Sequence, residues 1–225
     1  MNVSVIIPVY NEEKALPFVL KEIPREHVRQ IVVVDNGSTD GTFAAAQRGN
    51  VLVVEEPRRG YGSACLAGLL VLASDTEVVV FLDGDHSDYS EELPMLLAPI
   101  ADGRADLVIG SRVLGEAKPG ALTPHQRFGN WLACTLLALR FGARLTDLGP
   151  FRAIRRSALD QMRMQDVGFG WNVEMQAKAL KAKLRIVEVP VRYRPRIGQS
   201  KISGTIMGSL RAGIAILTTI ARYWC

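Results

Sequence analysis

Glu77-Val78-Val79-Val80-Phe81-Leu82-Asp83-Gly84-Asp85 is a short apolar run that stops on two carboxylates one residue apart. Its β-branched and aromatic residues predict a strand over 77–83, buried on both faces, with Gly84 relaxing the turn that follows. Four more runs read the same way, at residues 3–9, 30–35, 51–55 and 106–110. Between them, 13–23, 42–48, 62–74 and 91–101 carry helical patterns, the first with Pro17 near its start. Strand–helix alternation of this kind predicts an α/β fold: a mostly parallel, Rossmann-like sheet with helices on both faces. Beyond residue 110 the pattern loosens, leaving helices at 126–141, at 170–182 and from 205 onward, and a strand at 184–190.

Composition agrees with a folded, soluble chain. Of 225 residues, 48% are hydrophobic and 22% charged, which is ordinary globular usage and argues against disorder. There is no repeat, low-complexity tract or Pro/Gly/Ser linker, so one catalytic domain over 1–225 is the economical reading, with 192–225 as a basic loop and C-terminal helix. No stretch reaches the roughly 18 uninterrupted apolar residues of a spanning helix. The opening residues lack the basic start and long apolar run of a secretory signal, and Cys65, Cys134 and Cys225 are odd in number and without metal-ligand spacing. Together these predict a cytoplasmic protein with reduced thiols.

In an open α/β sheet, ligands bind outside the carboxyl ends of the strands. The loops there are Pro8-Val9-Tyr10-Asn11-Glu12, the segment from Asp35 to Gly41, Glu56-Pro57-Arg58-Arg59-Gly60, Asp83-Gly84-Asp85 and Gly110-Ser111-Arg112. Four of the five carry acids and two carry arginines. Asp83 and Asp85 are hard oxygen ligands suited to Mg²⁺ or Mn²⁺, metals that keep other positions for water and phosphate oxygens. A solvated Asp-Gly turn is the plainer alternative. Asp35 could accept from ribose hydroxyls or a base N–H, while Asp40 suits the cap of the following helix. A nicotinamide-type Rossmann reading fails, because the first strand is followed by Pro-Val-Tyr-Asn-Glu-Glu rather than a glycine fingerprint; Gly60-Tyr61-Gly62 is a weak match in the wrong place.

The ordered set of these loops resembles family 2 glycosyltransferases of GT-A fold. Thr146-Asp147-Leu148-Gly149-Pro150-Phe151-Arg152 and Ser200-Lys201-Ile202-Ser203-Gly204 resemble in particular the branch of polyprenyl-phosphate sugar synthases, the dolichol-phosphate mannose and glucose synthases among them. The resemblance covers nearly the whole chain. It implies that Pro8, Tyr10, Glu12 and Asp35 hold the nucleoside of a nucleotide diphosphate sugar donor, and that Asp83 and Asp85 bind the metal. Arg112 is implied near the donor or acceptor phosphates. Arg192, Arg194, Arg196 and Lys201 match a phosphate-gripping loop. Two positions depart from the family: Asn36 where a second Asp is common, and Ser87 where the mannose synthases commonly have Gln.

Glu174 is a candidate general base, since hydroxyl-accepting relatives carry an acid on a helix near this point. Its spacing equally fits an i,i+4 pair with Lys178 on an exposed face, at the margin of the apolar stripe Val173, Ala177 and Leu180. The function expected is inverting sugar transfer to an acceptor, a polyprenyl phosphate. The alternatives are a soluble glycosyltransferase with a hydroxyl acceptor, a sugar nucleotidyltransferase, or a non-catalytic nucleotide-sugar-binding module. From residue 181 onward nine Lys/Arg face one acid, Glu188, which suggests an anionic partner. Without interleaved aromatics or a known module, nucleic acid ranks last among such partners. Residues 212–221 are apolar, flanked by Arg211 and Arg222 and followed by Trp224. They suit a helix lying peripherally on the cytoplasmic membrane face; packing on the protein body is the alternative.

Overall fold

The computed structural model describes residues 1–198 and 206–223, the side chains of 206–212 excepted. Seven strands, β1 (Val3–Val9), β2 (Gln30–Asp35), β3 (Leu52–Glu55), β4 (Val78–Phe81), β5 (Leu107–Ser111), β6 (Arg152–Arg155) and β7 (Ile186–Pro190), form one sheet in the order β3-β2-β1-β4-β6-β5-β7. Every neighbouring pair is parallel except those made by β6, which runs antiparallel to β4 and to β5.

Alternate residues of the central strands feed two apolar layers. Val5, Ile7, Val78 and Val80 face one side, where they meet α1 (Leu16–Glu22) and α4 (Leu93–Ala101). Ile6, Val79 and Phe81 face the other, against α3 (Tyr61–Leu70), α6 (Arg156–Met162) and α7 (Trp171–Lys181). Such two-sided burial is why these strands read as continuous apolar runs. A third cluster of Ala133, Cys134, Leu137, Val173, Ala177 and Ile220 joins α5 (Pro124–Phe141) and α7 to α8 (Ile206–Arg222).

Local chemistry sets the ends of these helices. α1 starts later than its sequence pattern because Pro17 lies in its first turn, where a missing N–H costs nothing. α5 opens with a reciprocal capping box between Thr123 and Gln126 and closes on Gly142 at φ 70°. α2 (Thr42–Gln47) is entered through Asp40, whose carboxylate accepts from the Thr42 N–H at 3.0 Å.

β6 and α6 were not expected from the sequence. Their insertion matters for the site: β6 enters the sheet at the edge where all six other strands end, so Arg152 starts on the same edge as the motif loops. α8 packs on α5 and α7 through Ile216, Ile220 and Tyr223, so part of it does complete the protein body. No helix among the described residues is long and apolar enough to cross a membrane.

Candidate active site

Beyond β4 the chain turns sharply enough that a Cβ on Gly84 would lie 2.5 Å from Val9 Cγ1, which packs the Asp83–Asp85 turn against β1. The Asp83 Oδ1 atom is buried without a hydrogen-bond partner among the described residues. Burial raises the Asp83 pKa, against the opposing pull of Arg196, the Tyr61 hydroxyl, Arg112 and Arg152. Asp85 is buried too. Its Oδ1 accepts from the Ser87 N–H at 2.9 Å and from the Ser87 hydroxyl at 2.5 Å, and its Oδ2 pairs with Arg196. The departure at Ser87 therefore has a local use: a short hydroxyl fixes the orientation of the neighbouring carboxylate.

Arg112, just past β5, is clamped by Asp147, which accepts from Nε at 2.9 Å, Nη2 at 2.6 Å and the backbone N–H at 2.7 Å. Burial alone would lower the Arg112 pKa, but the Asp147 charge and hydrogen bonds raise it, so this guanidinium stays ionised. Arg152 is wholly buried and donates to the carbonyls of Leu148, Gly149 and Asn172; burial brings its pKa down to about 10. Asp88, 2% exposed, leaves both carboxylate oxygens without hydrogen-bond partners among the described residues. Burial and the charge of Asp83 push its pKa up to about 8. Sequence reasoning gave no role to Asp88, Asp147 or Arg152. The cue for Asp147 and Arg152 was their place in the Thr146–Arg152 motif; Asp88 offered none beyond its position three residues after Asp85.

The first two strand-end loops sit side by side, since Pro8 pairs with Val34 and Val9 with Asp35. Asp35 Oδ1 closes its own turn by accepting from the Ser38 N–H at 2.9 Å. The Tyr10 ring lies under the Arg59 guanidinium at 3.2 Å. Glu12 is buried, and its N–H donates to Thr42 Oγ1 at 2.7 Å. Asn36 gives both amide hydrogens to carbonyls, of Glu56 at 2.9 Å and Arg58 at 2.8 Å, and accepts from the Gly60 N–H at 2.8 Å. An aspartate cannot make the two donations, so the second departure from the family pattern is a loop brace. Gly60 and Gly62 also find their reason. A Cβ at either would lie within 2.0 Å of the carbonyl oxygen of Val167 or Asp166, so the 166–168 loop closes directly onto the start of α3.

The basic segment after β7 crosses the metal-type turn. Arg194 donates to the carbonyls of His86 and Asp88 and to Glu22, and lies over the Tyr89 ring at 4.2 Å. Arg192 pairs with Glu91 and Glu92. Backbone bonds from Arg194 to Ser87 and from Ile197 to Asp85 tie the strap down. Lys201 lies outside the described residues.

Glu174 requires a correction. It is not at an exposed margin but fully buried, because α8 covers the face that helical periodicity left open. Its carboxylate accepts from the Gln165 and Asp166 N–H groups and the Tyr223 hydroxyl, and pairs with Lys178 at 2.8 Å. Burial raises its pKa, but these bonds outweigh that and hold it below the usual range. Asp83, Asp85, Arg112 and Arg196 thus form one cluster, with Pro8, Tyr10 and Asp35 on adjoining loops, while none of the Glu174 bonds reaches that cluster. Trp171, three residues earlier, is a core residue packed edge-on to Phe81 at 5.7 Å.

A divalent cation fits this chemistry. No group of three or more His, Cys, Asp or Glu able to hold a metal occurs among the described residues. The two adjacent carboxylates, one with an orphaned buried oxygen, suit an ion that takes its remaining ligands from water and a diphosphate.

The family model described as glycosyl transferase family 2 matches residues 4–163, which span the loops after β1 to β5 and the whole of β6 but not the segment carrying Arg196. The chain belongs to glycosyltransferase family 2. An uncharacterised glycosyltransferase of Mycobacterium tuberculosis is 41% identical over 96% of this chain and 94% of its own length. The undecaprenyl-phosphate mannosyltransferase of Micrococcus luteus is 33% identical over 99% and 96%. Among solved structures, glucosyl-3-phosphoglycerate synthase of M. tuberculosis, in complex with Mn²⁺, UDP and glucosyl-3-phosphoglycerate, shares the fold at TM-score 0.79 and 21% identity. That match covers 99% of this chain and 79% of that one. The GT-A expectation is met, and family membership decides for sugar transfer over nucleotidyl transfer.

Proposed function

We propose that this glycosyltransferase moves a sugar, with inversion, from a nucleotide diphosphate donor to a polyprenyl phosphate. The observation carrying the proposal is the buried Asp83 oxygen beside Asp85, without a hydrogen-bond partner among the described residues and ringed by Arg112, Arg152 and Arg196. The likeness to an undecaprenyl-phosphate mannosyltransferase along almost its whole length supports the acceptor.

Asp83 and Asp85 would hold Mg²⁺ or Mn²⁺, which supplies charge stabilisation for a diphosphate leaving group. The chain does the rest. Pro8, Tyr10, Glu12 and Asp35 would seat the nucleoside. Arg112 presents its remaining Nη1 edge to a phosphate, its other edge being fixed by Asp147. Arg194, Arg196 and Lys201 would close over the phosphates. As the C1–O bond breaks, its electron pair goes to the nucleotide diphosphate, while an acceptor phosphate oxygen bonds C1 from the opposite face. That oxygen is already ionised at neutral pH, so no general base is needed, and Glu174 keeps its structural bonds throughout.

The test is release of nucleoside diphosphate from a panel of nucleotide sugars with Mn²⁺ or Mg²⁺, with and without a polyprenyl phosphate in detergent. Release that depends on the polyprenyl phosphate supports the reading. Release with hydroxyl acceptors alone would overturn it.

A further inference from the structure

We propose that the outward faces of α5 and α8 together form a docking surface for an anionic lipid bilayer, an inference that rests on the lipid-phosphate acceptor proposed above. On α5 the outward positions Phe128, Trp131 and Leu139 are 61%, 59% and 73% exposed. They fall on one stripe, at spacings of 3 and 8 residues. The Phe128 and Trp131 rings pack on each other at 5.8 Å, so two aromatic side chains present one outward unit. α8 lies against α5 and adds Ile214 and Leu217, 52% and 43% exposed.

Charge selects the partner. Neither helix contains an Asp or Glu, and Arg127, Arg144 and Arg222 stand exposed around the apolar residues. A second copy of the chain would be a poor occupant. A two-fold interface sets the same patch against itself, arginine to arginine, with no acid on either helix to compensate. An anionic surface pairs with those arginines, while an aromatic–aliphatic stripe enters the headgroup region.

The position suits the chemistry. On its inner side, α5 holds the Thr146–Leu148 loop through Asn130, whose amide donates to Thr146 O at 2.9 Å and accepts from the Leu148 N–H at 2.8 Å. That loop carries Asp147, the clamp on Arg112. Only the width of one helix, roughly 10 Å, therefore separates the outward stripe from the loop that holds a phosphate-binding arginine. The stripe lies on α5 as much as on the C-terminal helix. Truncating α8 would also strip the core formed by Ile220 and Tyr223, so surface substitutions are the sound test.

The double variant Phe128→Ser/Trp131→Ser changes two mostly exposed side chains and should keep the wild-type melting temperature. Co-sedimentation with phosphatidylglycerol vesicles containing no acceptor should fall about tenfold or more relative to wild type. Binding of the wild type should weaken between about 0.1 and 1 M salt, and Trp131 fluorescence should be quenched by brominated lipid. Transfer to a short, water-soluble polyprenyl phosphate should be unchanged in the variant, whereas transfer to acceptor in vesicles should drop. Equal vesicle binding by wild type and variant would overturn the docking surface, as would a dimer in solution that the same variant dissociates. Vesicle binding lost in the variant, with no transfer to any polyprenyl phosphate, would uphold the surface and refute the acceptor.

Discussion

Two flanks of the same sheet edge are held in place by different forces. On the β1–β3 flank, loops are fixed mainly by neutral side chains bonded to backbone: Asn36 to Glu56, Arg58 and Gly60, and Ser38 and Thr42 to the segment after β1. On the flank built by β4–β7, the fasteners are ion pairs, Arg112–Asp147, Arg192–Glu92, Arg194–Glu22 and Arg196–Asp85. The proposed ligands give the reason. A nucleoside is uncharged and needs a shaped slot, whereas phosphates need cations. Cations awaiting a polyanion must be kept folded and partly dry: Arg194 and Arg196 are held against acids that a phosphate could replace, while Asp147 stays in place to aim Arg112.

If that contrast is right, the largest single loss should come from the charged flank. Asp147→Ala leaves Arg112 buried beside Tyr193 without its counter-ion and also frees the Arg112 N–H. The expected cost is about 3–5 kcal/mol, because removing one partner strands the other charge. Thermal unfolding measures it, and a melting temperature within a degree of wild type would break the comparison.

Asn36→Asp probes the neutral flank with nearly the same shape. A carboxylate would face two carbonyl oxygens in place of two donated hydrogens, at a cost of about 2 kcal/mol. The apparent KM for the donor should rise with little change in kcat, and the melting difference should persist in high salt at neutral pH. A stable variant with altered base preference would make Asn36 a base contact after all.

The neutral, strand-rich flank was also the more legible one. β1 and β2 were predicted residue for residue, since strands buried on both faces with a polar residue at the end announce themselves. β6 did not. It has four residues and begins and ends with arginine, which masks its apolar centre, Ala153-Ile154. Its pairing on both sides is a tertiary fact with no local signature. Glu174 was misjudged for a related reason: helical periodicity finds one buried face, and α7 is buried on nearly all sides once α8 covers it. The Asp83–Asp85 turn was found from sequence, but Asp88 was not, because its burial depends on the strap that crosses from β7.

Asp88 yields a pH-dependent prediction. Its pKa in the folded state, raised to about 8, exceeds its unfolded value, so folding disfavours the ionised form. That penalty is absent below the unfolded pKa near 4, grows as pH rises between the two values, and is complete above about 8. Asp88→Asn removes it. The variant should therefore be no more stable than wild type at pH 4 and clearly more stable at pH 8. Urea unfolding at the two pH values tests this; a constant difference would mean that Asp88 is paired in the native protein.

The smallest effect is expected at Arg196, where the comparison is sharpest because one carboxylate serves both uses. Asp85 Oδ2 pairs with the Arg196 guanidinium, yet Asp85 is also a proposed metal ligand, and one oxygen cannot fully serve both cations. The Arg196 side chain is about one-third exposed, so solvent screens the pair, and its contribution is about 0.2–1 kcal/mol. Removing it with Arg196→Gln should leave the melting temperature nearly unchanged and tighten Mn²⁺ binding without nucleotide by about 1.4- to fivefold, the ratio those energies convert to. With nucleoside diphosphate present the sign should reverse, since the freed guanidinium would otherwise meet the phosphates. Calorimetry with and without nucleotide reads both. If Mn²⁺ binds the variant no more tightly than wild type when nucleotide is absent, Arg196 is not competing for Asp85, and the charged flank holds its arginines for structure alone.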